Sequence, residues 1–135
     1  MTSIAYSPPT AGEVSAAVAA AKEAAAAVHR LTTLAVPAGE RAAVIGHLGE
    51  VAQHLFDTAF ALSIQVHEEA PSGGTLGTPD GWLPPAGRAE RDLDEASRFL
   101  AWARDAFNDA VTAVEDMAQE ASSEQADDTL NGGHP

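Results

Sequence analysis

The placement of proline is the feature that most limits how this chain can fold. The prolines fall near the two ends of the chain, at Pro37, and in one interior segment from Pro71 to Pro85. Proline lacks an amide donor and clashes with the preceding helical turn, so these positions mark helix limits. The long proline-free stretches between them are rich in alanine, the residue with the best helix propensity. The sequence therefore predicts an all-α protein with three helices.

The first helix is predicted over about residues 11–34. Thr10 and Glu13 precede the apolar residues with the spacing of a capping box, in which the hydroxyl accepts from the third amide. Apolar and small residues then recur at alternating steps of four and three, which predicts a heptad seam that faces another helix. The seam comprises Val14, Val18, Ala21, Ala25, Val28 and Thr32.

The second helix is predicted over about residues 38–69 and the third over about residues 88–121. Each carries a heptad seam, which predicts coiled-coil-like packing with a left-handed supercoil. Gly46 and Gly49 lie inside the second helix and favour either a close approach of a neighbouring helix or a local weakness. The seam of the second helix is Val44, Leu48, Val51, Leu55, Ala59, Leu62 and Val66; that of the third is Leu93, Ala96, Leu100, Ala103, Phe107, Ala110, Val114, Met117 and Ala121.

The connections predict how these helices are arranged. The link over residues 35–37 is so short that we expect the first two helices to run antiparallel. The segment 70–87 is long for a bundle connection, and we expect a loop that offers Trp82 as a second contact region. Residues 122–135 are polar and acidic and predict a disordered tail. The expected fold is a single antiparallel three-helix bundle over residues 1–121.

Charge excludes several classes of function. The chain has 7 Lys and Arg against 20 Asp and Glu, a net charge of −13, and it has no cysteine. Such an excess of negative charge repels phosphate backbones and anionic headgroups, so direct nucleic-acid binding is not expected. We also expect no membrane span, because no apolar run is long enough, and a cytoplasmic location follows as the default.

No combination of residues predicts catalysis. The chain has no HExxH motif, no Glu-x-x-His pair of a di-iron bundle and no phosphate-binding glycine loop with a lysine. We therefore expect a protein that is not an enzyme and holds no cofactor or metal. One alternative stays open: His47, Glu50 and His54 follow one helical face, and imidazole with carboxylate is ligand chemistry for a metal or a small ligand.

Two aromatic residues of the third helix lie away from its seam. Trp102 is about 180° around the helix from Leu93, and Phe99 is close to it, with Arg98 able to stack or pair there. Aromatic residues joined by an arginine are typical of interface anchors. The alternative is that the first helix covers this second face and buries Trp102.

The sequence thus favours an acidic helical bundle that acts through protein–protein contact or self-association. Its candidate partner-binding residues are Phe99, Trp102, Trp82 and Arg98. A protein partner or a homodimer is expected, since the long second and third helices extend beyond a shorter first helix. A second alternative is an acidic protein that mimics nucleic acid and occupies a basic partner, because the carboxylates concentrate after Asp105.

Overall fold

The computed structural model describes residues 8–70, 77 and 79–131, with side chains up to residue 127, and this part of the chain contains helices and no strand. The elements are α1 (Ala11–Arg30), a 3₁₀ turn (Ala38–Glu40), α2 (Arg41–Glu69) and α3 (Pro85–Asn131). The predicted all-α class is confirmed. None of the described helices is both long and apolar enough to cross a membrane.

The chain divides into two units, one before and one after the boundary between Pro37 and Ala38. The first unit contains α1, and the second contains α2 and α3. The predicted single domain and the predicted antiparallel placement of the first two helices concern both units together, and they stay predictions.

The ends of α1 follow from local hydrogen bonds. Thr10 is the N-cap, and its Oγ1 accepts a hydrogen bond from the Glu13 amide at 3.1 Å, which confirms the threonine half of the predicted box. At the other end the helix stops at Arg30 and not near residue 34. The next three residues bond to carbonyls three positions back, and the hydroxyls of Thr32 and Thr33 donate to the carbonyls of His29 and Arg30. These bonds close the helix in a tighter turn.

The third helix is longer than predicted at both ends. It begins at Pro85, three residues before the predicted start, and the Arg88 amide donates to the Pro84 carbonyl at 3.0 Å. A proline suits the first helical turn because its missing amide has no partner there. The helix continues to Asn131, so the predicted disordered tail from residue 122 was wrong over those residues. The tail is polar, yet it contains no proline or glycine before Gly132, so nothing in its backbone chemistry ends the helix.

α2 and α3 pack against each other as an antiparallel pair. Pairs of residues that meet across them are Gly46 with Val111, Gln53 with Arg104, and His67 with Glu90. The two residue numbers of every such pair add up to 157, so the partner on α3 moves back as α2 moves forward. This register gives, for any residue of α2, the residue of α3 at the same position along the helix axes. We call this position the height of the residue.

The face of α2 that contacts α3 differs from the predicted seam. Gly49 and Ala52, which lie outside the predicted seam, are buried, as is Ala59 of the seam. Val51, Leu55 and Leu62 of the seam are exposed. A Cβ on Gly49 would lie 3.4 Å from the Cβ of Phe107, so the two helices approach closely where the sequence predicted that they could. The heptad spacing predicted one apolar stripe on α2, but a second stripe, made largely of small residues, faces α3. We call this second stripe the contact stripe; it comprises Ala42, Ile45, Gly49, Ala52, Phe56, Ala59, Ser63 and Val66.

The predicted seam of α3 is correct over most of its length. Its members from Leu93 to Val114 are half-buried, but Met117 and Ala121 are exposed. The register explains the difference, because the height of Met117 lies at Glu40, just before α2 begins. No described side chain larger than serine is buried, so the interior of the pair is thin.

Candidate interaction surface

One side of the α2–α3 pair is a polar groove. It is open to solvent and is bridged by side chains from both helices: Arg104 donates to the Gln53 amide oxygen, and the His67 Nδ1 lies 3.2 Å from the Glu90 Oε2. We call this side the polar groove, and near Gly49 it is lined by Ala43, Gly46, His47, Gly49, Glu50, Gln53, Arg104, Asn108 and Val111.

The opposite side of the pair is apolar. Because the residues of the polar groove mark one flank of each helix, the residues on the other flank of the same helices share the other side of the pair. That flank of α2 is the larger part of the predicted seam. We call this surface the apolar face, and it comprises Val44, Leu48, Val51, Leu55 and Leu62 of α2 with Ala96, Phe99, Ala103, Ala106, Ala110, Ala113 and Met117 of α3.

The apolar face carries no charge. Along the two heptad rows of α2 that form it, the nearest charged residues are Arg41 and Glu69 at its ends. Along the corresponding rows of α3 they are Asp92 and Glu120. In a chain with 20% charged residues, two uncharged flanks of this length on neighbouring helices are a strong departure from an ordinary solvated surface.

The two uncharged flanks lie side by side. The register places Val44 at the height of Ala113, and Leu62 at the height of Glu95, next to Ala96. The stretch from Val44 to Leu62 rises about 28 Å at 1.5 Å per residue. The apolar face is therefore a continuous strip over both helices and not two separate patches.

The structure places two of the predicted partner-binding residues on this strip. Phe99 lies on the apolar face and is 64% exposed, and Trp102 lies at its rim, beside Phe99 and Ala106, and is 72% exposed. Whether the first helix, which belongs to the other unit, covers Trp102 stays a prediction.

The other two predicted residues lie elsewhere. The Arg98 guanidinium forms an ion pair with Asp94 at 3.0 Å, one turn back on α3 and away from the apolar face. Trp82 is 58% exposed and lies in the segment before α3, after Gly81, whose φ of 89° is a left-handed conformation that suits glycine. Residues 71–76 and 78 of the predicted loop lie outside the described residues. Trp82 thus lies outside both helices, in the segment that precedes α3.

The candidate metal ligands form a pair and not a three-ligand site. The His47 Nδ1 lies 3.3 Å from the Glu50 Oε2, and both side chains are more than two thirds exposed. His54 does not line the groove with them. Within the described part of the chain, no three His, Cys, Asp or Glu side chains are grouped to hold a metal ion.

The bridge between Gln53 and Arg104 was not identified from the sequence. Arg104 lies next to Ala103 of the predicted seam, a position where an arginine can lay its stem on the contact and extend its head to the partner helix. The position of Arg104 beside the seam was the sequence feature from which this bridge could have been predicted. Comparison with known proteins adds no further assignment: no family model, curated protein or solved structure shows significant similarity to this chain.

Proposed function

We propose that this chain is a non-enzymatic, acidic helical protein that acts through protein–protein contact or self-association. The observation that carries the proposal is the apolar face, a strip about 28 Å long that is uncharged on both helices and has Phe99 and Trp102 in an exposed position. Exposed aromatic residues beside aliphatic ones are the common anchors of protein interfaces. The contact role of Trp82 remains part of this proposal, while the placement of the first helix in a three-helix bundle stays a prediction of the sequence.

The contrast between the two sides of the pair supports the assignment to one side. The polar groove carries side chains that satisfy one another, as Arg104 does with Gln53 and Gln53 with Asp57. The apolar face offers no hydrogen-bonding group except Thr58 and Gln65 toward one end. Apolar side chains form no hydrogen bonds with water, so burial of this strip by another protein is favourable.

A photo-crosslinking experiment tests the proposal, with a matched control in the same chain. Phe99 is on the apolar face and is 64% exposed, while Phe60 is on the other side of the pair and is 53% exposed. A photoreactive phenylalanine analogue replaces one or the other in the full chain, which is then irradiated in the cells that make it. We expect protein adducts from position 99 and few from position 60.

Equal labelling from both positions, or none from position 99, contradicts the proposal. Adducts are identified by mass spectrometry, so a second copy and a different protein are distinguished in the same experiment.

A second candidate function is a protein that imitates nucleic acid and occupies a basic partner. The observation in its favour is that the acidic end of α3 is helical, with four carboxylates along one side: Asp116, Glu120, Glu124 and Asp127. A helix holds these charges at regular spacing. Its test is binding to a basic protein, which must weaken steeply with added salt and upon replacement of these four residues by Gln or Asn.

A further inference from the structure

We propose that the partner that covers the apolar face is a second copy of this chain, in a four-helix bundle whose two-fold axis runs parallel to α2 and α3. The proposal rests on the proposed function and names its partner. In this arrangement α2 of one copy lies over α3 of the other, and neighbouring helices are antiparallel throughout, as in an up-and-down bundle. Because the axis is parallel to the helices, pairs between copies keep the register of 157 found within one copy.

Burial of the apolar face by a second copy would stabilise the α2–α3 pair. Its buried residues are small, Gly49, Ala52 and Ala59 on α2 and Ser97 on α3, and the described chain has no fully buried large side chain. The large aliphatic residues Leu55 and Leu62 are 50% and 44% exposed. Moving such side chains from water into a core is favourable, so the apolar face still offers hydrophobic area for burial.

Side-chain size makes the apolar face complementary to itself. Its α2 half consists of valines and leucines, and its α3 half consists mainly of alanines. In the two-fold bundle Val44 of one copy lies at the height of Ala113 of the second copy, and Val51 at the height of Ala106. At these two heights a bulky residue meets a small one, whereas Leu55 lies at the height of Trp102. A bulky residue also meets a small one within one copy, where Phe107 of α3 meets Gly49 of α2.

Charges at the two ends of the face also match in this register. Arg41, at one end of the α2 rows, lies at the height of Asp116 of the second copy. Glu69, at the other end, lies at the height of Arg88 of the second copy. The two-fold axis repeats both pairs, so four opposite-charge pairs lie at the ends of the strip. Such rim pairs contribute little affinity but select orientation and register. Glu95 and Asp109 belong to the same heptad row of α3 as Arg88 and Asp116, and they lie along the rim at the heights of Leu62 and Leu48.

The area agrees with a dimer of moderate affinity. A strip about 28 Å long and two helices wide, roughly 18 Å, covers about 500 Å² on each copy. The two copies together bury about 1,000 Å², close to the lower limit for a specific interface. We therefore expect a dimer that dissociates on dilution and not an obligate dimer.

Sedimentation equilibrium of the full chain gives the first test, with two alanine variants that carry the same change. Ala106→Glu places a carboxylate at the centre of the apolar face, and Ala43→Glu places one on the polar groove; both alanines are exposed. We expect the unaltered chain and Ala43→Glu to approach twice the mass of 13.9 kDa at high micromolar concentration. We expect Ala106→Glu to stay monomeric with the same helical content, because a buried, unpaired carboxylate opposes association.

Engineered cysteines test the register, since the chain has none of its own. Chains that carry Val51→Cys are mixed with chains that carry Ala106→Cys and are oxidised mildly. The two-fold bundle places these positions at the same height on adjacent helices, so we expect a disulfide between the two kinds of chain. Mixing Ala43→Cys with Ala106→Cys gives the control, for which we expect no rapid crosslink.

Three results would overturn the proposal of a second copy. They are a monomer at all concentrations, equal association of the two glutamate variants, and crosslinking from position 43 as rapid as from position 51. A monomeric chain that still forms adducts with another protein through position 99 retains the proposed function and loses only this inference. A monomer with no adducts at all removes both.

Discussion

α2 has two apolar stripes of the same periodicity, and their side-chain sizes differ. The contact stripe, which packs on α3, is dominated by small residues such as Gly49, Ala52 and Ala59, whereas the stripe on the apolar face contains Val51, Leu55 and Leu62. Small residues allow two helix axes to approach closely, and large ones provide area to bury. The comparison teaches that the larger stripe of a helix need not face its nearest neighbour, since bulk left in solvent marks the place of a further partner.

The largest loss of stability is expected when the contact stripe is enlarged at its tightest point. A Cβ on Gly49 would already lie 3.2 Å from the Asn108 Oδ1 and 3.4 Å from the Phe107 Cβ. Gly49→Leu must therefore separate the helices, and we expect the free energy of unfolding to fall by about 3 kcal/mol. Urea denaturation followed by circular dichroism measures it. An unchanged midpoint would mean that α2 and α3 are not closely packed at this height.

Two adjacent residues of α3 allow a buried side chain and an exposed one to be compared for their effect on stability. Leu100 is half-buried in the contact with α2, and Phe99 is 64% exposed. At a concentration where the chain is monomeric, we expect Leu100→Ala to lower the free energy of unfolding by about 2 kcal/mol. Phe99→Ala should change it by less than about 0.5 kcal/mol. A larger loss for Phe99 in dilute solution would show that this ring is buried within a single chain.

The polar groove offers a smaller test of what the bridging side chains contribute. Arg104 donates to Gln53 on the other helix, while Arg98 pairs with Asp94 of its own helix and is 80% exposed. We expect Arg104→Met to cost about 1.5 kcal/mol of unfolding free energy, the lower end for a hydrogen bond that involves a charged group. Arg98→Met should fall within about 0.5 kcal/mol of the original chain. Equal losses for both arginines would contradict a bridging role.

The smallest expected effect is an increase in the free energy of unfolding. Gly46 lies three residues before Gly49, but a Cβ there would meet only the Val111 Cγ2, at an ordinary 3.8 Å. Gly46→Ala should therefore raise the free energy of unfolding by up to about 1 kcal/mol through helix propensity alone. The same thermal or urea measurement detects it. A loss of stability would indicate that the helices approach at Gly46 as closely as they do at Gly49.

Salt separates the two candidate functions. Each chain carries a net charge of −13, and two copies therefore repel each other outside the apolar face. Added salt screens this repulsion, so the two-copy bundle should associate more tightly at higher ionic strength. Binding of a basic partner to the acidic end of α3 has the opposite dependence. Titration at two ionic strengths thus distinguishes the two by sign.

Much of the fold was predictable because it depends on local chemistry. Proline positions, alanine content and heptad spacing located all three helices and the inward residues of α3 from Leu93 to Val114. The end of α3 was not predicted, because acidic, polar composition was taken as a sign of disorder although no residue before Gly132 interrupts a helix. The angular distance of Phe99 and Trp102 from the seam could be read from the sequence, but the sequence left open whether the first helix covers them.

By itself, the sequence determined that the chain forms helices, where α2 and α3 carry apolar residues, and that its surface is strongly acidic. These are properties of single residues and of their spacing along one helix. The tertiary structure decided which of the two stripes of α2 meets α3, because that choice depends on how closely two backbones approach at Gly49 and Ala52. It also aligned the uncharged flanks of both helices at one height, since only packing sets the register between them.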